Sequence, residues 1–140
     1  MHVVAYGVLE TKPTQTLPQR LELLHKGLLD VIQTYRPEEI ALEELFFNRN
    51  VTTAFTVGQA RGVLLLAAEQ HHLEYFSYTP AQVKQAATGY GKADKAQIQQ
   101  MVKILLGLPT IPKPDDVADA LAIAICHLQS RGVRRMLSPG

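Results

Sequence analysis

Long helical patterns alternate with short apolar segments along this chain, and this alternation restricts the fold more than any other feature. Apolar residues recur at helical spacing over Pro18–Tyr35 and from Val51 to about His71. Short strands are predicted at Val3–Thr11, in a segment that ends at Glu43, and at Tyr75–Tyr78. Helices and strands that alternate in this way predict an α/β fold in which helices cover a sheet.

The second half of the chain is predicted to be mostly helical. Helices are expected from Pro80 to about Ala86, over Ala93–Leu106, and again after the prolines that precede Asp115. The 140 residues leave room for one domain. We therefore expect a single domain over residues 1–130, followed by a basic tail over residues 131–140 that frays.

Composition places few limits on function. Fourteen Lys and Arg residues against 13 Asp and Glu give a net charge of +1, so a nucleic-acid surface would have to come from local clustering of basic side chains. No apolar run is long enough to span a membrane, and no signal segment follows Met1, which together favour a cytoplasmic location. Cys126 is the only cysteine and is expected to be a buried thiol.

Two aspartates at the start of the last helix are the first candidates for a functional site. Asp116 and Asp119 are three residues apart, so a helix presents both carboxylates on one face, roughly 5–6 Å apart at Cβ. Like charges this close favour a cation between them. The same pair would also serve as an N-terminal cap with a favourable dipole contact, and the pattern by itself leaves both interpretations open.

A third acid lies at the end of a predicted buried strand. Ile40, Ala41 and Leu42 are apolar in succession, which is typical of a central strand covered on both faces. Glu43 then falls at the carboxyl end of the strand, where open α/β sheets place their sites. The aromatic pair after it, Phe46 and Phe47, is predicted to supply one core ring and one ring that stacks on bases.

Five segments, in order, resemble the RuvC family of Holliday-junction resolvases. They are Leu42–Asn50, Val57–Gly62, Pro80–Gln85, Gly89–Lys95 and Asp116–Ala122. The resemblance covers nearly the whole chain and implies an α/β, RNase H-like mixed sheet flanked by helices. It also implies a cytoplasmic homodimer that cuts four-way DNA junctions with Mg²⁺ and works with the RuvA–RuvB branch-migration complex.

The resemblance also assigns roles to individual residues. Glu43, Asp116 and Asp119 match three of the four carboxylates that hold two Mg²⁺ ions, with Mn²⁺ as a substitute, and Asp115 remains an alternative to Asp116. The predicted DNA-binding residues are Phe46, Phe47, Arg49, Arg61, Lys84, Lys92 and Lys95. Lys84 and Lys95 match lysines of the family, Lys92 is included for its proximity, and Arg61 is open between DNA contact and support of a dimer helix.

The amino-terminal end departs from the family pattern. Family members begin with a strand carrying Gly-Ile-Asp-Pro-Gly, whose aspartate is the fourth carboxylate, whereas Met1–Thr11 resembles the third strand of the family. We therefore expect the first two strands to be absent and the complete protein to begin upstream. On this basis the chain is predicted to be an impaired or inactive endonuclease. The alternative is a non-catalytic fragment that binds junctions or dimerises.

Overall fold

The computed structural model describes residues 1–44 and 51–137, with the backbone alone at residues 51, 52, 134 and 135. Its elements in chain order are α1 (Leu17–Tyr35), β1 (Glu39–Glu43), α2 (Val51–Gln70), β2 (Glu74–Tyr78), α3 (Pro80–Thr88), α4 (Lys95–Leu106) and α5 (Asp115–Leu137). The α/β alternation predicted from the sequence is confirmed, and the predicted helix limits agree with these elements to within a few residues.

Three of the helices begin with the same capping arrangement. Thr16, Thr79 and Asp94 each accept a hydrogen bond from the backbone three residues later, and a glutamine at that position bonds back to the cap. This reciprocal arrangement satisfies backbone donors that a helix start otherwise leaves unpaired. The glycines Gly89 and Gly107 end α3 and α4 in the left-handed conformation, where a side chain would be strained.

Strands β1 and β2 form a two-stranded sheet among the described residues. The Glu74 amide donates to the Glu38 carbonyl near the start of the strands, and the Glu44 amide donates to the Tyr78 carbonyl near their ends. The strands therefore run parallel, with α2 as the crossover between them. The carboxyl ends of β1 and β2 lie side by side at Glu43 and Tyr78. Glu43 is therefore placed at this edge of the sheet.

Two expectations about the ends of the chain are wrong. Residues 1–10 have no regular secondary structure, although Val3–Thr11 has the composition of a strand. Strand propensity is realised only where a neighbouring strand completes the hydrogen-bond ladder, and the described sheet pairs β1 with β2 alone. At the other end, α5 continues to Leu137, so residues 131–137 are helical rather than frayed.

One compact unit comprises residues 1–8, 41–44 and 77–140. Helix α5 packs on α3 and α4 within it, and half of the buried apolar residues of this unit lie on α5. Ile125 and Val102 are its largest fully buried side chains. The prediction that α5 is a buried helix is confirmed on one side only, because Ala124 and Leu128 remain exposed.

The other compact unit comprises residues 9–40 and 45–76, where α1 packs against α2. Its core is small, with Ile32, Ala68 and Leu73 buried and Leu28 and Ile40 partly buried against them. Gly27 permits a close approach, because a Cβ there would lie 2.6 Å from a methyl group of Leu9. In the part of the chain that the structure describes, no helix combines the length and apolar character that crossing a membrane requires.

Candidate functional site

A cavity of about 270 Å³ brings together residues from the end of β1 and from α3, α4 and α5. Two predicted acids, Glu43 and Asp119, and two predicted basic residues, Lys84 and Lys95, line it. Its apolar wall comes from neighbouring side chains, namely Pro80, Val83, Ala93, Ile98, Ala122 and Ile123. The cavity therefore places opposite charges against a surface of low polarity, where electrostatic effects are stronger than in open water.

Glu43 is the acid whose protonation the cavity alters most clearly. Partial burial raises the pKa of the Glu43 carboxyl above its ordinary value, the nearby charge of Asp119 raises it further, and Lys84 lowers it. Burial is the largest of these causes, because it disfavours the charged form of the carboxyl, even though Glu43 keeps access to solvent. The influence of Asp119 shows that the two carboxylates are close enough to repel, as expected of groups that hold a cation between them.

Lys95 provides a positive charge at the rim of this cavity. Its Nζ lies 3.7 Å from Asp119 Oδ2 and 3.6 Å from Asp115 Oδ2, so a lysine of α4 bridges two acids of α5. About half of each side chain is exposed (55% for Lys95 and 47% for Asp119), which makes these ion pairs weak individually. Lys95 was predicted to contact DNA, and here it is paired with an acid of the proposed metal site.

Asp116 stands apart from the other two acids. It occupies the first turn of α5 and is exposed, but it does not line the cavity. Across residues 1–44 and 51–137, no group of three or more His, Cys, Asp or Glu side chains is arranged to hold a metal ion. The structure thus brings Glu43 and Asp119 into one cavity, and it leaves Asp116 outside that pair.

The chemistry of the donors nevertheless suits a hard divalent cation. Carboxylate oxygens from Glu43 and Asp119 are the ligands that Mg²⁺ prefers, and Mg²⁺ usually keeps several waters, so few protein ligands suffice. Burial and the nearby charge of Asp119 raise the pKa of the Glu43 carboxyl, and a bound cation would lower that pKa because it favours the ionised form. Glu43 and Asp119 therefore fit this role.

The remaining predicted basic residues have different surroundings. Lys84 projects from α3, which Thr79 and Pro80 start directly after β2, and it reaches the cavity. Lys92 is exposed in the turn before α4 and does not line the cavity. Arg61 lies in the other unit, where its Nη2 donates to the Tyr75 hydroxyl and its guanidinium stands 5.5 Å from the centre of that ring.

Three predicted DNA-contacting residues, Phe46, Phe47 and Arg49, lie outside the described residues. Conversely, the structure adds Asp94 to the cavity wall, a residue that the sequence analysis left out. Its carboxylate accepts from the Gln97 amide at 2.8 Å and caps α4. The Asp94-x-x-Gln97 pattern is a visible capping signal, but the pattern does not reveal that this cap borders a cavity.

A buried polar pair lies in the same unit as the cavity. Tyr78, at the end of β2, and His127, on α5, share a hydrogen bond of 2.6 Å between the Tyr78 hydroxyl and His127 Nδ1. Both side chains are almost fully buried. The pair ties α5, which carries Asp119, to the end of β2.

Comparison with known proteins gives consistent results. The family model described as "Crossover junction endodeoxyribonuclease RuvC" matches residues 1–127. A relative of that name from Alkaliphilus oremlandii is 54% identical over 134 residues, covering 96% of this chain and 82% of the relative. Another from Desulforamulus reducens is 59% identical over 126 residues, covering 90% and 77%.

Solved structures agree with the sequence comparison. The structure titled "T. thermophilus RuvC in complex with Holliday junction substrate" superimposes with a TM-score of 0.85 at 40% identity, covering 89% of this chain and 76% of that one. The structure titled "Thermus thermophilus RuvC structure" gives a TM-score of 0.83 at 39% identity, covering 91% and 76%. The predicted RNase H-like fold is thereby confirmed.

Proposed function

We propose that this chain, which belongs to the RuvC family of crossover junction endodeoxyribonucleases, carries the acidic and basic side chains with which a four-way DNA junction is resolved by metal-assisted hydrolysis. The observation that carries the proposal is the shared cavity of Glu43, Asp119, Lys84 and Lys95. One of the similar solved proteins is described as bound to a Holliday junction, which supports junction DNA as the substrate.

Phosphodiester hydrolysis requires an activated water and a group that neutralises the charge on the leaving oxygen. Divalent ions supply both effects when they are bound. We assign Glu43 and Asp119 as the residues that would hold Mg²⁺ or Mn²⁺, with Asp116 as a third carboxylate from the first turn of α5. Oxygen donors without a thiolate or imidazole favour these metals over zinc.

The basic residues act on the phosphate backbone. Lys84 and Lys95 flank the two acids, so a phosphate placed over the cavity would meet ammonium groups on both sides. Lys92, Phe46, Phe47 and Arg49 are proposed to extend the contact along the DNA, with a ring stacking on a base. Arg61 supports the surface around Tyr75, because its guanidinium is already engaged there.

Assembly as a homodimer forms part of the proposal. Helix α2 exposes large apolar side chains at Phe55, Val57 and Leu66, and exposed apolar surface of this kind marks interaction sites. We also propose action with the RuvA–RuvB complex and a cytoplasmic location, which the family resemblance supports. A dimer would present two cavities to a junction of four DNA arms, which suits a paired cut.

The second candidate is a junction-binding module without nuclease activity. It is favoured by one observation, that the described residues hold no ready-made group of three metal-binding side chains. We propose that residues 1–140 alone are impaired, because they supply three of the four carboxylates that the family resemblance implies. This candidate predicts junction binding by residues 1–140 without cleavage under any metal.

The test compares cleavage of a synthetic four-way junction by two forms of the protein. One form is residues 1–140, and the other carries the leading strands of a relative ahead of Met1. We expect Mg²⁺-dependent cleavage by the extended form and binding alone by the shorter one. A cleavage-competent extended form that loses activity on Glu43→Gln but keeps it on Glu22→Gln would support the nuclease. An extended form that binds junctions and never cuts would favour the module.

A further inference from the structure

Asp115 makes more polar contacts than the other acids of α5, although it does not line the cavity. Its Oδ1 lies 3.6 Å from Lys113 Nζ and accepts a hydrogen bond of 3.2 Å from Gln99 Nε2. Its Oδ2 lies 3.6 Å from Lys95 Nζ. Both carboxylate oxygens of Asp115 therefore have partners. Oδ1 contacts Lys113 and Gln99, and Oδ2 contacts Lys95, which also reaches Asp119.

These contacts separate the role of Asp115 from that of a metal ligand. A carboxylate with an ammonium group near each oxygen is a weaker ligand for a divalent ion, and Asp115 does not line the cavity that Glu43 and Asp119 share. Instead, Lys113 and Gln99 contact Asp115, and Asp115 in turn contacts Lys95, so these individually weak contacts form one network. Two acceptors 3.6 and 3.7 Å away restrict the Lys95 ammonium to the rim of the cavity.

We propose that Asp115 is a positioning residue: it holds the Lys95 ammonium beside Asp119, where Lys95 serves as the counter-ion of the metal site until a divalent cation takes its place. One ammonium cannot neutralise both Asp115 and Asp119, so a divalent cation bound at Asp119 would displace Lys95 from that carboxylate. Asp115 then retains Lys95 near the cavity, where it is available to a phosphate. The inference rests on the proposed function, because it takes Glu43 and Asp119 as the metal-binding pair.

The proposal predicts the relative Mn²⁺ affinities of the wild-type protein, the Lys95→Gln and Asp115→Asn variants and the double variant. Removal of the competing ammonium by Lys95→Gln should tighten Mn²⁺ binding by roughly two- to fivefold, the range expected for exposed ion pairs. Asp115→Asn removes the negative charge that positions Lys95. It should weaken Mn²⁺ binding by a similar factor, because Lys95 then pairs with Asp119 alone. In the double variant the effect of Asp115→Asn should largely vanish, since no ammonium remains to be held.

The measurement is a titration with Mn²⁺ alone, followed by electron paramagnetic resonance of the free ion. It uses residues 1–140 and, in parallel, the form extended at its amino end, with circular dichroism to verify folding. The matched control is the Lys26–Glu22 pair on α1, a comparable ion pair at 3.4 Å. Neither Lys26→Gln nor Glu22→Gln should change Mn²⁺ affinity.

A second readout follows Lys95 itself. Nuclear magnetic resonance of the lysine side chains should show the Lys95 signal shifting during a Mg²⁺ titration, with Lys26 unaffected. In Asp115→Asn the Lys95 signal should move towards that of a free lysine when Mg²⁺ saturates the site. Wild-type protein in which Lys95 does not respond to Mg²⁺ would contradict the counter-ion role.

The outcomes distinguish this inference from the function on which it rests. Strictly additive effects of Asp115→Asn and Lys95→Gln would overturn the positioning role, because they would mean that each charge acts independently on the ion. Weaker Mn²⁺ binding in Lys95→Gln would overturn the counter-ion role. Mn²⁺ binding that Glu43→Gln and Asp119→Asn leave unchanged would overturn the proposed metal site itself.

Discussion

The two compact units of this chain use their helices differently. The unit with α3, α4 and α5 buries most of the apolar core and collects Glu43, Asp119, Lys84 and Lys95 around one cavity. The unit with α1 and α2 has a small core centred on Ile32, Ala68 and Leu73 and leaves large apolar side chains of α2 exposed.

The proposed function assigns chemistry to the first unit and association to α2, although the first unit also leaves Met136 and Leu137 exposed. A densely packed core fixes the positions of the side chains at its rim, as a catalytic site requires. A helix with exposed Phe55 and Leu66 gains by covering them with another surface. We therefore expect substitutions in the first unit to affect cleavage and global stability, and substitutions on α2 to affect assembly.

The largest effect is expected from the acids of the cavity. In the amino-terminally extended form, Glu43→Gln and Asp119→Asn should each reduce junction cleavage by roughly 1,000-fold, about 4 kcal/mol, because each removes an oxygen donor to the metal. Junction affinity should change little, since it comes from Lys and Arg contacts to phosphate. Cleavage rates and gel-shift affinities measure the two effects. Near-normal cleavage by either variant would remove that residue from the site.

The next prediction compares the stability contribution of a fully buried side chain on α5 with that of an exposed side chain on α2. Ile125→Ala should lower the free energy of unfolding by about 3 kcal/mol, because Ile125 is fully buried and its truncation leaves a cavity in the core. Leu66→Ala, at a site with 56% exposure, should lower it by well under 1 kcal/mol in the monomer. Urea denaturation at low protein concentration gives both values. Equal losses would show that the burial of these two positions does not differ as described.

A smaller effect is expected on assembly. Phe55→Glu places a charge on a side chain that is 66% exposed on α2, so it should weaken self-association by about tenfold or more and leave monomer stability nearly unchanged. Tyr90→Glu, a similarly exposed aromatic position in the other unit, is the control and should leave the dimer intact. Sedimentation velocity resolves these species. A dimer unaffected by Phe55→Glu would place the interface elsewhere.

The smallest effect concerns protonation. Because Asp119 contributes to the raised pKa of the Glu43 carboxyl, Asp119→Asn should move the titration of Glu43 to lower pH, while Lys84→Gln should move it to higher pH. Carboxyl nuclear magnetic resonance of residues 1–140 without metal measures both shifts. Opposite shifts would mean that the two carboxylates do not share the cavity.

The same raised pKa has a consequence for stability. Between the ordinary glutamate value of 4.5 and the raised value, the folded state binds more protons at Glu43 than the unfolded state does. The Glu43 contribution to the free energy of unfolding therefore falls as pH rises through this window. Asp119→Asn should make that fall smaller, which pH-dependent thermal melting can detect.

The sequence determined the local structure and the identity of the chemical groups. Helix limits followed from apolar spacing and from caps such as Thr16 and Thr79, since these signals act over a few residues. The ordered motifs identified the family and selected Glu43, Asp119, Lys84 and Lys95. All four lie at one cavity because the strand end and the helix starts converge there.

The tertiary structure decided what depends on residues distant in sequence. The strand pattern of Val3–Thr11 did not become a strand, because strand formation needs a partner that propensity cannot supply. By resemblance, the pattern Asp115-Asp116-x-x-Asp119 favoured Asp116 as the ligand and left Asp115 as its alternative. The contacts of Asp115 with Lys113, Gln99 and Lys95 come from outside its own helix, and they distinguish Asp115 from Asp119, which lines the cavity.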